Sequence, residues 1–287
     1  MSPAVADSTW RALLAQATDA LGERQAARWL VEDAAGCDAA GLHTLLDEVA
    51  PDVAATRLRA LVARRCGGEP LQHVLGRWPF AGVELIVDRR ALVPRPETEV
   101  LVDAALRELE RLQPATPLVA DLGTGSGAIA AALVCARADC TVVAVERDAG
   151  ACSLAADNRS RLGPLARERL ILRQGSWYGP LAAEAGALDL VVANPPYLAA
   201  GEWAGLDPVV RDHDPYDALV AGPTGLEAVA AVVSGAPAHL RRPGTLLCEL
   251  APAQAAAATA LARRAGAREI WVLADLAGRE RILGARW

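Results

Sequence analysis

The spacing of apolar residues changes character twice along the chain. Up to residue 66 it is helical. Trp10, Leu13, Leu14, Ala17 and Leu21 recur as one face of a run over 9–36, with Ser8 or Thr9 placed to cap it. A second helical stretch over 42–49 stops at Pro51, and a third over 53–66 ends at Gly67-Gly68. Between Glu69 and Pro96 the period shortens. WPFAGVELIVD alternates around Ala81-Gly82 and predicts a short β-hairpin. Pro94 and Pro96 then open a helix that places Glu97 and Glu99 in its first turn, where the helix dipole favours acids.

From Pro117 onward strand-like and helix-like segments alternate. Strands are predicted at 118–122, 141–146, 169–175, 187–193, 245–250, 269–274 and 279–287, with helices at 127–138, 149–162, 224–240 and 252–266. Strands separated by helices of this length predict an α/β fold with a mostly parallel sheet covered on both faces. The pattern therefore predicts three parts: a helical unit over 1–68, a hairpin linker over 69–95, and an α/β domain over 96–287. There is no internal repeat.

Composition narrows the function class. The chain has 287 residues, 53% hydrophobic and 22% charged, enough to build a packed core and exclude global disorder. Acids (35) exceed bases (29), giving a net charge of -6, so no basic field covers the molecule and a stable grip on nucleic acid is not expected. Apolar runs are short and broken, so no membrane span is expected, and the first 20 residues lack the basic and apolar blocks of a secretory signal. Six cysteines show no C-x-x-C pair and no zinc spacing with the histidines, so no metal is expected. They read mostly as small core residues in a reducing cytoplasm. Lysine is absent, and only Asn158 and Asn194 represent asparagine. Where such a chain spends an asparagine or one of its three tyrosines is informative.

Three segments carry chemistry. DLGTGSG (121–127) closes a strand and opens a helix, and its glycines let backbone pass close to a ligand beside free helix N–H groups. Its G-x-G-x-G spacing fits neither the dinucleotide fingerprint nor a P-loop, which would need a lysine. Glu146 ends the next strand, where an acid can accept both hydroxyls of a ribose. Asn194-Pro195-Pro196-Tyr197 follows the strand DLVVA, at the carboxyl edge where open α/β sheets bind ligands. Its two prolines fix the backbone and remove N–H donors.

Together DLGTGSG, the acid of AVERD and NPPY resemble the signature of class I S-adenosyl-L-methionine-dependent methyltransferases that modify a planar nitrogen. The same NPPY occurs in DNA adenine methyltransferases, where a flipped base is the acceptor. Residues 67–106 resemble the linker and catalytic-domain entry of the protein-(glutamine-N5) methyltransferases of peptide chain release factors. So do 174–181, 209–229 and DLAGRERILGAR, and the preceding helical domain, which in that family helps dock the release factor. The likeness covers essentially the whole chain.

That resemblance implies a Rossmann-like class I methyltransferase fold with the last strand antiparallel and a small N-terminal helical domain. It implies S-adenosyl-L-methionine as cofactor, S-adenosyl-L-homocysteine as product, and a release factor as partner in the cytoplasm. Asp121, Gly123, Thr124, Gly125, Ser126 and Gly127 would hold the methionine and ribose part, Glu146 the ribose hydroxyls, and Trp177 the edge of the adenine. Asn194, Pro195, Pro196 and Tyr197 would clamp the acceptor, with Asn194 also touching the methionine end. The chain departs from the family at two places: Glu249-Leu250-Ala251-Pro252 replaces an acid-Ile-Gly or His-Gly element, and His73 replaces a common tyrosine. Other readings keep the clamp and change the acceptor. A small amino-acid-like substrate such as the guanidinium of arginine also presents a planar NH2. DNA adenine methylation and an inactive cofactor-binding scaffold complete the set.

Overall fold

The computed structural model of the chain describes residues 8–275 and 277–287. The first seven residues, part of the stretch judged to lack a secretory signal, and Leu276, inside the DLAGRERILGAR segment, lie outside the described residues. The chain divides into two compact units, one running to Gly76 and including Pro208–His213, the other made of Arg77–Asp207 and Asp214–Trp287.

The first unit is helical: α1 (Trp10–Leu21), α2 (Arg24–Ala35), α3 (Ala39–Leu45), α4 (Asp52–Cys66) and α5 (Leu71–Leu75). Thr9 caps α1 by accepting from the Ala12 N–H. The single run expected over 9–36 is two helices. Gly22 adopts φ 66 and its N–H returns to the Thr18 carbonyl, a left-handed stop that divides the run. Trp10, Leu13, Leu30 and Leu58 form the centre of its core. Arg64 ties the unexpected helix α5 to α4, donating to the carbonyls of His73 and Val74 while pairing with Glu69.

The second unit opens with the expected hairpin, β1 (Arg77–Phe80) antiparallel to β2 (Val83–Ile86). Helix α6 (Pro96–Leu112) follows, then β3 (Leu118–Leu122), α7 (Ala128–Ala136), β4 (Thr141–Glu146), α8 (Ala149–Arg161), α9 (Pro164–Arg169) and β5 (Leu170–Gln174). The chain continues through β6 (Leu188–Ala193), β7 (Leu198–Ala199), α10 (Pro208–Arg211, in the first unit), α11 (Tyr216–Leu219) and β8 (Val220–Gly222). It ends with α12 (Glu227–His239), β9 (Leu240–Glu249), α13 (Ala255–Arg264), β10 (Glu269–Ala274) and β11 (Glu280–Arg286).

Seven strands form one sheet in the order β10-β11-β9-β6-β3-β4-β5. The pairs from β9 through β5 are parallel, and β11 runs antiparallel to both its neighbours, as expected. Side-chain alternation divides β6 between two cores. Leu190 and Val192 join Leu101 of α6 and Leu133 of α7 on one face; Val191 and Ala193 join Val229 of α12 and Ala258 of α13 on the other. The chain runs outward from β3 to β5 and then returns to place β6 on the opposite side of β3. The reversal makes the carboxyl ends of β3 and β6 neighbours at a topological switch point, where such sheets bind ligands.

The cysteine expectation holds only in part. Cys140 and Cys248 are buried in strand-linked core, whereas Cys66 and Cys135 are exposed near the carboxyl ends of α4 and α7. All six are free thiols. Among the described residues no helix is long and apolar enough to cross a membrane.

Candidate active site

The glycine-rich turn is held by hydrogen bonds on three sides. The N–H groups of Gly123 and Thr124 both donate to the Val145 carbonyl, at 2.9 and 3.0 Å, fixing the end of β3 against β4. Beneath the turn Asp121 is fully buried, and its Oδ2 accepts from the Thr124 hydroxyl and the Ala130 N–H. Burial pushes this carboxyl up to about 7, against the pull of those two bonds. Gly127 has a packing reason of its own, because a Cβ there would stand 3.3 Å from the Ala155 Cβ of α8. Gly125 is different. It sits at φ 56 with only the Ala91 methyl within 4 Å, so its backbone borders open space.

That space is a cavity of about 490 Å³. Gly123, Thr124, Gly125, Ser126, Glu146, Trp177, Asn194 and Pro196 all contribute to its wall. The structure thus brings most of the sequence-nominated residues to one place, although they come from four separate segments. Asp121, Gly127, Pro195 and Tyr197 do not wall the cavity. Asp121 and Gly127 support the turn from behind, and the Tyr197 backbone is pinned at both ends. Its N–H donates to Leu219 and its carbonyl accepts from Gln254, which fixes the loop after β6.

Glu146 reaches back onto the turn. Its Oε2 accepts from the Gly125 N–H and its Oε1 from the Asp148 N–H, both at 2.9 Å. A carboxylate offers about four acceptor sites, so one site on each oxygen remains for a pair of hydroxyls. Trp177 follows β5 with φ 47, a left-handed backbone that few bulky residues adopt, and its ring stands 3.5 Å from where a Gly123 Cβ would be. A carboxylate with two open acceptor sites, a turn bared of side chains at Gly123 and Gly125, and an indole on one cavity fit an adenosyl ligand.

Two residues that the sequence reading did not nominate complete the site. Asn194 Nδ2 donates to Thr98 Oγ1 at 3.1 Å, and Thr98 donates in turn to Glu249 Oε2 at 2.9 Å. Thr98 lies on the buried stripe of α6 with Leu101, Val102 and Ala105. A hydroxyl at a position where the helical period asks for an apolar side chain was the available signal. Glu249 ends β9 at 2% exposure, the acid of the segment that departs from the family pattern. Burial lifts its carboxyl to about 7, while Thr98 and Arg281 pull it down and Glu97 pushes it up. Arg95, also on the cavity wall, pairs at 2.7 Å with the buried Asp214.

Comparison with known proteins identifies the family. Residues 8–76 match the PrmC N-terminal domain family and residues 99–205 the methyltransferase small domain family. The release factor glutamine methyltransferase of Cereibacter sphaeroides is 41% identical over 260 residues, covering 91% of this chain and 90% of its own. That of Xylella fastidiosa is 39% identical over 279 residues, covering 96% of this chain and 97% of its own. Among solved structures, the hMettl16 catalytic domain in complex with MAT2A 3'UTR hairpin 6 shares the fold at a TM-score of 0.59 and 18% identity, covering 79% of this chain and 81% of that one. Identity at that level, sustained along nearly the full length of both relatives, means that the chain belongs to the release factor glutamine methyltransferase family.

Proposed function

We propose that this chain is an S-adenosyl-L-methionine-dependent N-methyltransferase acting on the side-chain amide of the glutamine in the Gly-Gly-Gln motif of peptide chain release factors. The observation that carries the reading is the shared cavity, in which Asn194 and Pro196 meet the 123–126 turn, Glu146 and Trp177. The turn, Glu146 and Trp177 hold the cofactor, whose sulfonium supplies an electrophilic methyl group when bound. Residues 1–68 serve as the docking domain for the release factor, 69–95 as linker and 96–287 as the catalytic domain. The enzyme works in the cytoplasm and forms no stable complex with nucleic acid.

An amide nitrogen is a poor nucleophile, because its lone pair is delocalised into the carbonyl. The clamp therefore acts by orientation and by charge stabilisation. Asn194 Oδ1 accepts one hydrogen of the acceptor NH2 from the cavity wall, and the family resemblance assigns the Pro195 carbonyl and the Tyr197 ring, which lie outside that wall, to its second hydrogen and its planar face. Pro196 has no N–H, so no neighbouring donor is carried into the clamp. Hydrogen bonds to developing charge contribute about 1.5–3 kcal/mol each, whereas orientation contributes roughly 7–11 kcal/mol. Orientation is the larger effect.

The test offers purified enzyme and methyl-labelled cofactor separately to a release factor, free arginine and DNA. Label on the release-factor glutamine is the expected result. Label on arginine or DNA alone would overturn the acceptor assignment and leave the cofactor assignment standing.

A further inference from the structure

The amide of Asn194 has two orientations of equal shape and opposite chemistry. With Oδ1 toward the acceptor it can take a hydrogen from the NH2 group. With Nδ2 there it would present a donor to a donor. The clamp works in one orientation only, and something must select it.

The selection is legible in the direction of two hydrogen bonds. Glu249 Oε2 lies 2.9 Å from Thr98 Oγ1, and a carboxylate can only accept. Thr98 has one hydroxyl proton, so it is spent on Glu249. Its oxygen then meets Asn194, 3.1 Å away, only as an acceptor, which draws in Nδ2 and leaves Oδ1 on the other side. The three groups come from α6, the β6 loop and the end of β9, and both Thr98 and Glu249 are at most 4% exposed. Water therefore does not readily substitute for either partner.

We propose that Thr98 and Glu249 are positioning residues for methyl transfer, a directed relay that sets which end of the Asn194 amide faces the acceptor nitrogen. This rests on the clamp reading of Asn194. It also predicts a dependence on the charge of Glu249. Arg281 from β11 favours the carboxylate; Glu97 from α6 opposes it; Tyr197, from the loop after β6, lies near enough to feel its charge. Protonated Glu249 can donate to Thr98, which frees the Thr98 proton to face Asn194 and lets the amide turn over.

The experiment measures kcat and KM on a release factor, and cofactor affinity by calorimetry, for wild type, Thr98→Val, Thr98→Ser, Glu249→Gln and Asn194→Ala. Thr98→Val keeps the shape and removes the relay, so kcat should fall about tenfold or more while cofactor affinity holds within about twofold. Thr98→Ser restores the hydroxyl and should recover most of kcat. Wild-type kcat should decline as pH falls through the titration of Glu249, and Glu249→Gln should lose that limb. Unchanged kcat in Thr98→Val beside an inactive Asn194→Ala overturns the relay and spares the clamp, as does a Thr98→Ser as slow as Thr98→Val. Full activity of Asn194→Ala overturns the clamp and the relay with it. If Thr98→Val does not fold, the pH profiles decide: an acid limb that persists unchanged in Glu249→Gln removes the proposal.

Discussion

Asn158 closes on the backbone of Ile86 from both sides. Its Oδ1 accepts from the Ile86 N–H at 2.6 Å, and its Nδ2 donates to the Ile86 carbonyl at 3.1 Å and to the Ser126 carbonyl at 2.9 Å. One buried amide on α8 thus fastens the β2 end of the hairpin to the glycine-rich turn. Asn158→Ala should lower stability by about 3 kcal/mol, since it leaves buried backbone groups without partners. Asn158→Asp should recover little of this, because a carboxylate facing two carbonyls replaces a donor with repulsion. Denaturant unfolding with an unchanged slope checks both; a loss in Asn158→Ala below about 0.5 kcal/mol would contradict the bridging role.

Glu146 binds before anything else arrives, through the N–H groups of Gly125 and Asp148. Glu146→Ala should weaken cofactor binding by about 1.5–3 kcal/mol, the loss of charge-assisted bonds to the ribose. The rate at saturating cofactor should change less. Calorimetry alongside single-turnover kinetics separates the two, and a collapse in rate with intact affinity would assign Glu146 another role.

For Asn194 the expected effect lies in turnover. Asn194→Ala removes an acceptor and frees the substrate nitrogen to rotate, so kcat should drop by about a hundredfold, some 2.7 kcal/mol. Asn194→Asp keeps an oxygen but cannot donate to Thr98, and it brings a charge toward a buried hydroxyl already engaged with Glu249. On a neutral amide its activity should stay low; a cationic guanidinium would tolerate it. Assaying the aspartate variant on a release-factor peptide and on arginine therefore reads mechanism and acceptor together. Near-normal turnover of Asn194→Ala on the labelled acceptor would remove the clamp.

Two buried acids shape the pH dependence of stability. Burial raises Asp121 and Glu249 to about 7 from ordinary values of 3.8 and 4.5. The unfolded chain loses these protons first, so between about pH 4.5 and 7 the folded state binds more of them and stability falls as pH rises. The penalty is fully present above about 7, at roughly 4 kcal/mol for Asp121 and roughly 3 kcal/mol for Glu249. Glu184, held below its ordinary range by Arg173, acts in the opposite sense but only in stronger acid. Unfolding free energies should decline from pH 5 to pH 8, and Glu249→Gln should flatten part of that slope. An identical slope in the variant would show that Glu249 ionises in the folded chain as it does in water.

How much of this was legible in the sequence depended on how local each feature is. The nearly unbroken apolar runs of 141–146 and 187–193 predict strands because both faces of the sheet are buried, and β4 and β6 lie there. NPPY could be placed at the carboxyl edge because it follows such a strand directly. Gly22 could not be read as a stop, since a lone glycine in a helical period is tolerated at about 1 kcal/mol and its φ is set by tertiary context. Helices α5 and α9, of five and six residues, carry too few turns to show a period. The partnership of Thr98 with Glu249 depended on the strand order, which no spacing along the chain encodes.

Thr98 and Glu249 stand 151 positions apart, and Thr98 and Asn194 stand 96 apart. A ribosome synthesising this chain completes the glycine-rich turn long before it reaches the far end of β9. Until then the amide of Asn194 has nothing to choose its face, and contacts of such separation form late because the intervening loop must be closed first. A nascent or partly refolded chain would therefore acquire its cofactor pocket before its capacity for transfer. Methylation would be among the last properties to return on refolding, and its recovery would report that the distant strands had met.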